Sequence, residues 1–457
     1  MSKEQRQISK SDKDIESSGT KERFTRSGFI LAAIGSSVGL GNMWKFPYIT
    51  GLYGGAAFFL LFTICLLLIG LPVLIAEMTI GRGGRGSPAT SLIRLSGQRI
   101  WGSFGVLSIA GAFFIMSFYA VVAGWTLHYA VISFGGAIRE GVDVEATFNH
   151  FIGGFLPVLW QFVVMLVTGW IVIRGASGIE KFNKVLIPAL VLILLFLMVR
   201  VLMLPGAGAG VEFFLRPDFS KLSNESVLVA LGHAFFSLSL GMGTMMTYGA
   251  YVDREQSLGA ATLAVGGGDL LYALLAGLII FPTTFAYGIE PGQGPGLAFV
   301  ALPAAFSAMP LGWLFGGLFF ILLAIAALTS CVSLLEVPIA FAIDRWGWGR
   351  NKATVITSAL CFLVGVPSAI SVGGAVNGLH WGPRSFFDWT DFIASNIILP
   401  LGGLVVTIFV GYVWKNVAQQ AGLTAGWFML WLFILRFVAP ILILLVFLHS
   451  SGLLSFG

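Results

Sequence analysis

Apolar stretches of about 20 residues recur along this 457-residue chain, and that recurrence decides which solvent it folds in. Each stretch is long enough to cross a hydrocarbon core about 30 Å thick as a helix, the conformation that bonds every backbone group within its own segment. Eleven such spans are expected, near 28–51, 55–80, 103–134, 155–174, 183–204, 226–251, 259–288, 310–344, 353–371, 391–413 and 428–449. Only 10% of residues are charged against 57% hydrophobic, so the length does not signal two or three soluble domains. The fold class expected is all-α and integral to a membrane, with lipid as an obligatory partner. Residues 1–23, rich in Lys, Asp, Ser and Glu, bury nothing and read as a disordered tail, and no cleavable signal peptide is expected before the first span.

The basic residues flanking the spans set an orientation. Alternating sides from the tail, Arg26, Arg82, Arg85, Arg94, Arg99, Arg174, Lys181, Lys184, Arg254, Arg345, Arg350, Lys352 and Lys415 fall on the tail's side. Arg139, Arg200, Arg216, Lys221 and Arg384 fall on the other. The expectation is a multi-pass protein of the cell inner membrane with a cytoplasmic N-terminus. Its short C-terminus, Ser450 to Gly457, would be extracellular or periplasmic. The pI near 9.1 follows from this topology and not from a nucleic-acid-binding face, because the charges are spread over many loops. No obligatory protein partner is inferred. Cys65, Cys331 and Cys361 lie inside spans without paired spacing and read as small apolar residues.

A weak repeat appears when the chain is aligned on itself in blocks of five spans. The first span carries Gly39-Leu40-Gly41 and the sixth carries Gly241-Met242-Gly243 at the corresponding depth. Two glycines spaced by one residue each cost roughly 1 kcal/mol relative to alanine in a helix, so they mark interruptions or, alternatively, close helix packing. Interrupted backbone inside a bilayer must face protein or a wet cavity, and two matched breaks point to one site. Ser36, Ser37, Asn42, Ser237 and Ser239 lie beside them. These are hard, mostly neutral oxygen donors that suit an alkali cation better than zinc or a transition metal.

Asp269 in the seventh span is an intramembrane carboxylate and hence a functional candidate, with an interfacial position as its alternative. Thr329 and Ser330 are adjacent hydroxyls in the eighth span that either serve a site or bond back to carbonyls one turn earlier. HExxH and phosphate-loop motifs are absent, and the five histidines are scattered, so the chain is not expected to be an enzyme.

The runs Gly35-Ser-Ser-Val-Gly-Leu-Gly-Asn-Met-Trp-Lys-Phe-Pro47, Phe235-Phe-Ser-Leu-Ser-Leu-Gly241, Ala326-Ala-Leu-Thr-Ser330 and Pro400-Leu-Gly-Gly403 resemble the neurotransmitter:sodium symporter family, in its bacterial amino-acid transporter branch. The resemblance implies an inverted five-helix repeat with discontinuous helices 1 and 6. Its first repeat would be 24–204 and its second 205–413, followed by an eleventh helix and terminus over 414–457. It implies two transported sodium ions. The first would be held by the Ser37 carbonyl, Asn42, Ser237, Asp269 and the substrate carboxylate. The second would be held by the carbonyls of Gly35, Val38 and Ala326 with the hydroxyls of Thr329 and Ser330.

The amino-acid pocket implied by the same resemblance comprises Leu40, Gly41, Ile115, Tyr119, Phe236, Ser239, Met242, Ser330 and Leu334, beside Ser37 and Ser237. Tyr119 would donate to the substrate carboxylate. Gly39 stands where monoamine carriers of the family have an aspartate, which implies a substrate with its own carboxylate, and the mostly apolar pocket implies hydrophobic L-amino acids. Asp269 replaces an asparagine, and Ala273 replaces a glutamate, found in some relatives. Chloride independence is expected from this relocated charge. Lys45 and Asp391 match an outer gate or are two hydrated vestibule charges, while Tyr251 and Asp344 match an inner gate whose basic partner is Arg23 or Lys21. Phe24 stands near the tryptophan usual there. Gly178 and Pro188 frame either a stretch that unwinds to hydrate the second sodium site or a plain helix boundary near Asn183. The uncharged run Gly294 to Ser307 resembles the loop that lids the outer vestibule. The implied activity is sodium-coupled amino-acid import by alternating access; a non-transporting amino-acid sensor or scaffold of the same fold is the alternative.

Overall fold

The computed structural model describes residues 22–290, 296–376 and 378–454. All eleven expected spans are helical. Eight are unbroken helices long and apolar enough to cross a bilayer: Ala56–Gly84, Ile100–Phe134, Gly175–Leu202, Leu258–Ala286, Gly312–Trp346, Arg350–Ser371, Phe386–Val413 and Ala425–Ser450. The fourth span is the shorter helix Leu156–Val172, which meets Val144–Ile152 at a 74° bend. The first and sixth are interrupted, as Arg26–Ser37 followed by Gly41–Lys45 and Phe46–Leu52, and as Asn224–Ser237 followed by Thr244–Ala250.

The interior is mostly apolar but encloses several polar and charged side chains, while large apolar ones also face outward, where a bilayer accepts them. Asn42, Glu77, Asp269 and Glu336 have no exposed surface, whereas Leu192, Leu263, Leu363 and Met429 project outward. The two 35-residue helices, Ile100–Phe134 and Gly312–Trp346, pack on each other more extensively than any other pair and form the wall against which the interrupted spans lie.

The first interruption begins where Val38 leaves helical geometry at φ −77°, ψ 76°, so that the Gly39 amide turns back to the Ser37 carbonyl at 2.9 Å. The chain resumes as a wide π-type turn, and Pro47 enters at the start of the following helix, where its missing N–H costs little. The second interruption is held by residues in left-handed geometry: Ser239 at φ 55°, Gly241 at 82° and Gly243 at 76°. Gly241 also admits the tenth span. A Cβ there would collide with the Leu399 carbonyl, and one on Gly402 would collide with the Gly241 carbonyl. This backbone-to-backbone contact is the physical content of the Pro400-Leu-Gly-Gly run.

The fifth span departs from expectation. Its helix starts at Gly175, eight residues before the boundary expected near 183, and runs unbroken through Gly178, Asn183 and Pro188. Neither a boundary at Asn183 nor an unwound stretch is present in this conformation. The residues Gly175 to Phe182 are more polar than the rest of the span, which hid the first two turns from a reading based on hydropathy. Of the uncharged run after the seventh span, residues 294 and 295 lie outside the described residues. The remainder forms the helix Leu297–Ser307, with Phe299 and Phe306 buried. Phe299 lies 5.6 Å from both Trp125 and Tyr129 between ring centroids, so this segment is packed onto the third span as a plug. The expected tail lies outside the described residues up to Lys21.

Candidate functional site

The two interruptions face each other across one cavity of about 20 Å³. Ser37, Gly41, Ile115, Tyr119, Phe236, Ser237, Ser239, Met242, Ser330 and Leu334 all line it, together with Ser36 and Gly39. Leu40 is the one expected pocket residue that does not line it; its amide instead donates to the Tyr119 hydroxyl at 3.0 Å. The same hydroxyl also bonds Ser330, on the cavity's lining. Gly39 is required by space: a Cβ at this position would come within 2.6 Å of Ser330 Oγ and 3.1 Å of the Tyr119 hydroxyl.

A chain of hydroxyls ties the three surrounding spans together. Ser36 donates to Ser239 Oγ at 3.2 Å and to Ser333 Oγ at 2.8 Å. Its carbonyl accepts from Ser239 at 3.0 Å and from Ser330 at 3.3 Å. Ile115, Phe236, Met242 and Leu334 supply apolar wall, so the cavity's lining is part polar and part apolar.

Beside the cavity, Asn42, Ser237 and Asp269 converge as expected. Asn42 Nδ2 donates to Asp269 Oδ1 at 2.8 Å, and Ser237 Oγ lies 2.6 Å from the same oxygen and 2.8 Å from Asn42 Oδ1. Asp269 Oδ2 is buried with no hydrogen-bond partner. A buried carboxylate oxygen left unpaired is costly unless a cation or proton meets it. Among the described residues no three His, Cys, Asp or Glu side chains gather as they would around a multivalent metal.

The second set is assembled differently. Thr329 Oγ1 donates to the Ala326 carbonyl at 2.9 Å, and Ser330 Oγ divides between the carbonyls of Ala326 and Ser36, each at 3.3 Å. In this conformation both hydroxyls bond back one turn, and Ser330 alone also crosses to the first span. Because the helix stops at Ser37, the Gly35 carbonyl lacks the amide four residues on that would otherwise pair with it. Gly35 abuts Asn183 of the fifth span, whose side-chain oxygen is buried and unpartnered. Asn183 was legible only as an intramembrane amide, a signal that its reading as a helix boundary discarded.

Two further buried acids escaped the sequence reading. Glu77, in the second span, accepts the Gly241 amide at 2.6 Å and so holds the second interruption open. Glu336, in the eighth, receives Arg350 from the ninth span and the Tyr251 hydroxyl. Both are intramembrane carboxylates, the same signal that singled out Asp269.

The cavity is closed at both ends. At one end Lys45 Nζ reaches both carboxylate oxygens of Asp391, at 3.1 and 3.3 Å, and lies 4.8 Å from the centre of the Phe236 ring. At the other, Phe24 is 2% exposed and packs edge-on against Tyr248 and Tyr251. Arg23 pairs with Asp253 at 3.0 Å. Asp344 is not the acid that receives Arg23: its carboxylate accepts the Ser87 amide and so ties down the loop after the second span. Lys21, the other basic candidate, lies outside the described residues. Tyr251 takes part at this end both through Phe24 and through Glu336.

Eleven spans, two of them interrupted at matched depth around an oxygen-lined cavity, define an inverted-repeat secondary transporter. The chain belongs to the sodium:neurotransmitter symporter family, whose model matches residues 21–141 and 145–454. It is 37% identical over 442 residues to an uncharacterised sodium-dependent transporter of Bacillus subtilis, YhdH, covering 94% of this chain and 98% of that one. It is 27% identical over 423 residues to a sodium-dependent dopamine transporter of Caenorhabditis elegans, covering 77% and 68%. The crystal structure of MhsT in complex with L-phenylalanine superposes with a TM-score of 0.87 at 42% identity, covering 94% of this chain and all of that one. The protein is therefore a multi-pass membrane transporter of a sodium-dependent family and not an enzyme.

Proposed function

We propose that this protein is a symporter that draws hydrophobic L-amino acids, aromatic ones included, into the cell with sodium. The observation that carries the reading is the cavity's mixed lining, in which the Tyr119 hydroxyl and the first interruption stand with the apolar Ile115, Phe236, Met242 and Leu334. An α-carboxylate would meet Tyr119 and the amides at the start of the resumed first helix, where the helix dipole favours an anion. The flexible Met242 adapts the wall to side chains of different size. MhsT, the relative solved with L-phenylalanine, supports an aromatic substrate by similarity.

Two sodium ions are assigned. One lies with Asn42, Ser237, Asp269, the Ser37 carbonyl and the substrate carboxylate; the other lies with Gly35, Val38, Ala326, Thr329 and Ser330, the hydroxyls of the last two turning away from Ala326 on binding. Asp269 carries the negative charge that a chloride ion would otherwise supply, so replacing chloride by gluconate leaves uptake unchanged. The N-terminus is cytoplasmic and the C-terminus faces outward, across the inner membrane. Lys45–Asp391 is then the outer gate, and Phe24 with Arg23–Asp253 the inner one. Alternating access consists of the two five-helix units, 24–204 and 205–413, opening one closure at a time. Each sodium entering down a 100 mV potential contributes about 2.3 kcal/mol, enough to make uptake concentrative.

Uptake of labelled L-amino acids into proteoliposomes, under an inward sodium gradient with a matched potassium control, tests this. Sodium-dependent accumulation that Asp269→Ala abolishes is expected. Substrate binding without accumulation or counterflow would identify a sensor of the same fold instead.

A further inference from the structure

One charged side chain in the membrane region has no part in this mechanism. Arg436 is the twelfth of the 26 residues of Ala425–Ser450, near the middle of the eleventh span, and it is exposed on the lipid-facing side. An arginine at such depth is expensive unless its guanidinium finds acceptors or reaches the interface. Part of its bonding is internal. Its Nε donates to the Gly411 carbonyl at 2.6 Å, one of the last carbonyls of the tenth span, which has no helical amide beyond it. The Tyr412 hydroxyl returns a bond to the Arg436 carbonyl at 2.7 Å, and the guanidinium carbon lies 5.8 Å from the Tyr412 ring centre. The tenth and eleventh spans meet here through two wide π-type turns, Phe409–Val413 and Ile434–Val438, a geometry that recurs at functional positions.

Capping the tenth span uses Nε alone. Among the described residues no acceptor faces Nη1 or Nη2, the two groups that form the planar fork of an arginine. We propose that this fork, with the exposed Lys415 just past the end of the tenth span, binds the phosphate of an anionic phospholipid. A helical side chain leans toward its own N-terminus, which aims the guanidinium at the interface marked by the exposed Trp427. Phe433 and Phe437, each about half exposed on the same stretch, offer the acyl chains an apolar surface. The fork matches phosphate oxygens bidentately, and the two cations select a net-negative headgroup over a zwitterionic one.

A second copy of this chain is a poor alternative occupant. From residue 392 to the end the sequence holds no Asp or Glu, so a two-fold contact through this face would set arginine against arginine. The proposal rests on membrane insertion and not on the substrate reading.

The test uses the full-length protein in mild detergent. Retention of phosphatidylglycerol and of phosphatidylcholine is measured by native mass spectrometry, and thermal protection is measured on titrating each lipid or inorganic phosphate. Preferential retention of phosphatidylglycerol, weakened about tenfold in Arg436→Gln, with no protection by inorganic phosphate, is the expected result. Arg436→Lys, which keeps the charge but loses the fork, covers the case in which the glutamine variant does not fold. It should retain phosphatidylglycerol less well than wild type yet still in preference to phosphatidylcholine. Equal retention of both lipids by wild type, unchanged selectivity in Arg436→Gln, or protection by inorganic phosphate alone overturns the proposal. So does loss of a dimer in Arg436→Gln whatever lipid is present.

Discussion

The two ends of the bundle close the same cavity with very different numbers of polar contacts. At the Lys45 end, besides the packed helix Leu297–Ser307, the polar closure is one ion pair with Asp391, its side chains 19% and 27% exposed, a Ser395 hydroxyl donating to Asp391, and a ring contact with Phe236. At the Phe24 end it is a layered assembly. Phe24 plugs the gap, and Thr25 is bound by Glu180 through both its amide and its hydroxyl. Glu22 accepts the Ala176 amide at the first turn of the fifth span and pairs with Arg350 at 3.3 Å. Arg350 in turn meets the fully buried Glu336. An exposed pair is worth about 0.2–1 kcal/mol and breaking a buried one costs about 3–5 kcal/mol; Lys45–Asp391, partly exposed on both sides, falls between, whereas Glu336 is fully buried. The lesson is that the Phe24 end opens only when several polar contacts release together, whereas the Lys45 end has fewer such contacts to release.

Substitutions at the two ends rank accordingly. Glu336→Ala strands the Arg350 guanidinium and should lower stability by about 3–5 kcal/mol, read as a fall in the thermal unfolding midpoint of the detergent-solubilised protein. Glu22→Ala removes the acceptor that caps the fifth span in trans. It should cost about 1 kcal/mol and speed amide hydrogen exchange in the first turn after Gly175, while the rest of that helix stays protected. Lys45→Ala, which breaks a partly exposed pair, should lower stability less than Glu336→Ala and speed substrate release up to roughly fivefold. If Lys45→Ala proves the more damaging of the first and last, the contrast between the ends is wrong.

Much of the centre was readable in advance because it violates the rule of its surroundings. Ser37, Asn42, Ser237 and Asp269 are polar residues in apolar runs, and glycines flank them at matched positions, so they stood out before any coordinates. Elements that obey no local pattern did not. The Arg350–Glu336 pair joins two spans across a short loop, with the arginine at a helix start where a basic residue is ordinary. Glu77 acts on the backbone of Gly241, and no sequence pattern marks which distant amide an acid will meet. The start of the fifth span was missed because its first two turns are polar, sheltered by Glu22 and Arg350 instead of by lipid. Asp344 accepts a loop amide, and Arg23 goes to Asp253, a choice set by tertiary geometry alone.

The most direct test of the account is the sodium dependence of L-phenylalanine binding to the purified protein, compared with that of Asp269→Ala. The unpaired Asp269 oxygen beside the cavity predicts that wild type binds only when sodium is present, and that the variant needs at least about tenfold more sodium or fails to bind. Binding that is indifferent to sodium, or a variant that matches wild type across the titration, would contradict the assignment of this cavity as a sodium-linked amino-acid site.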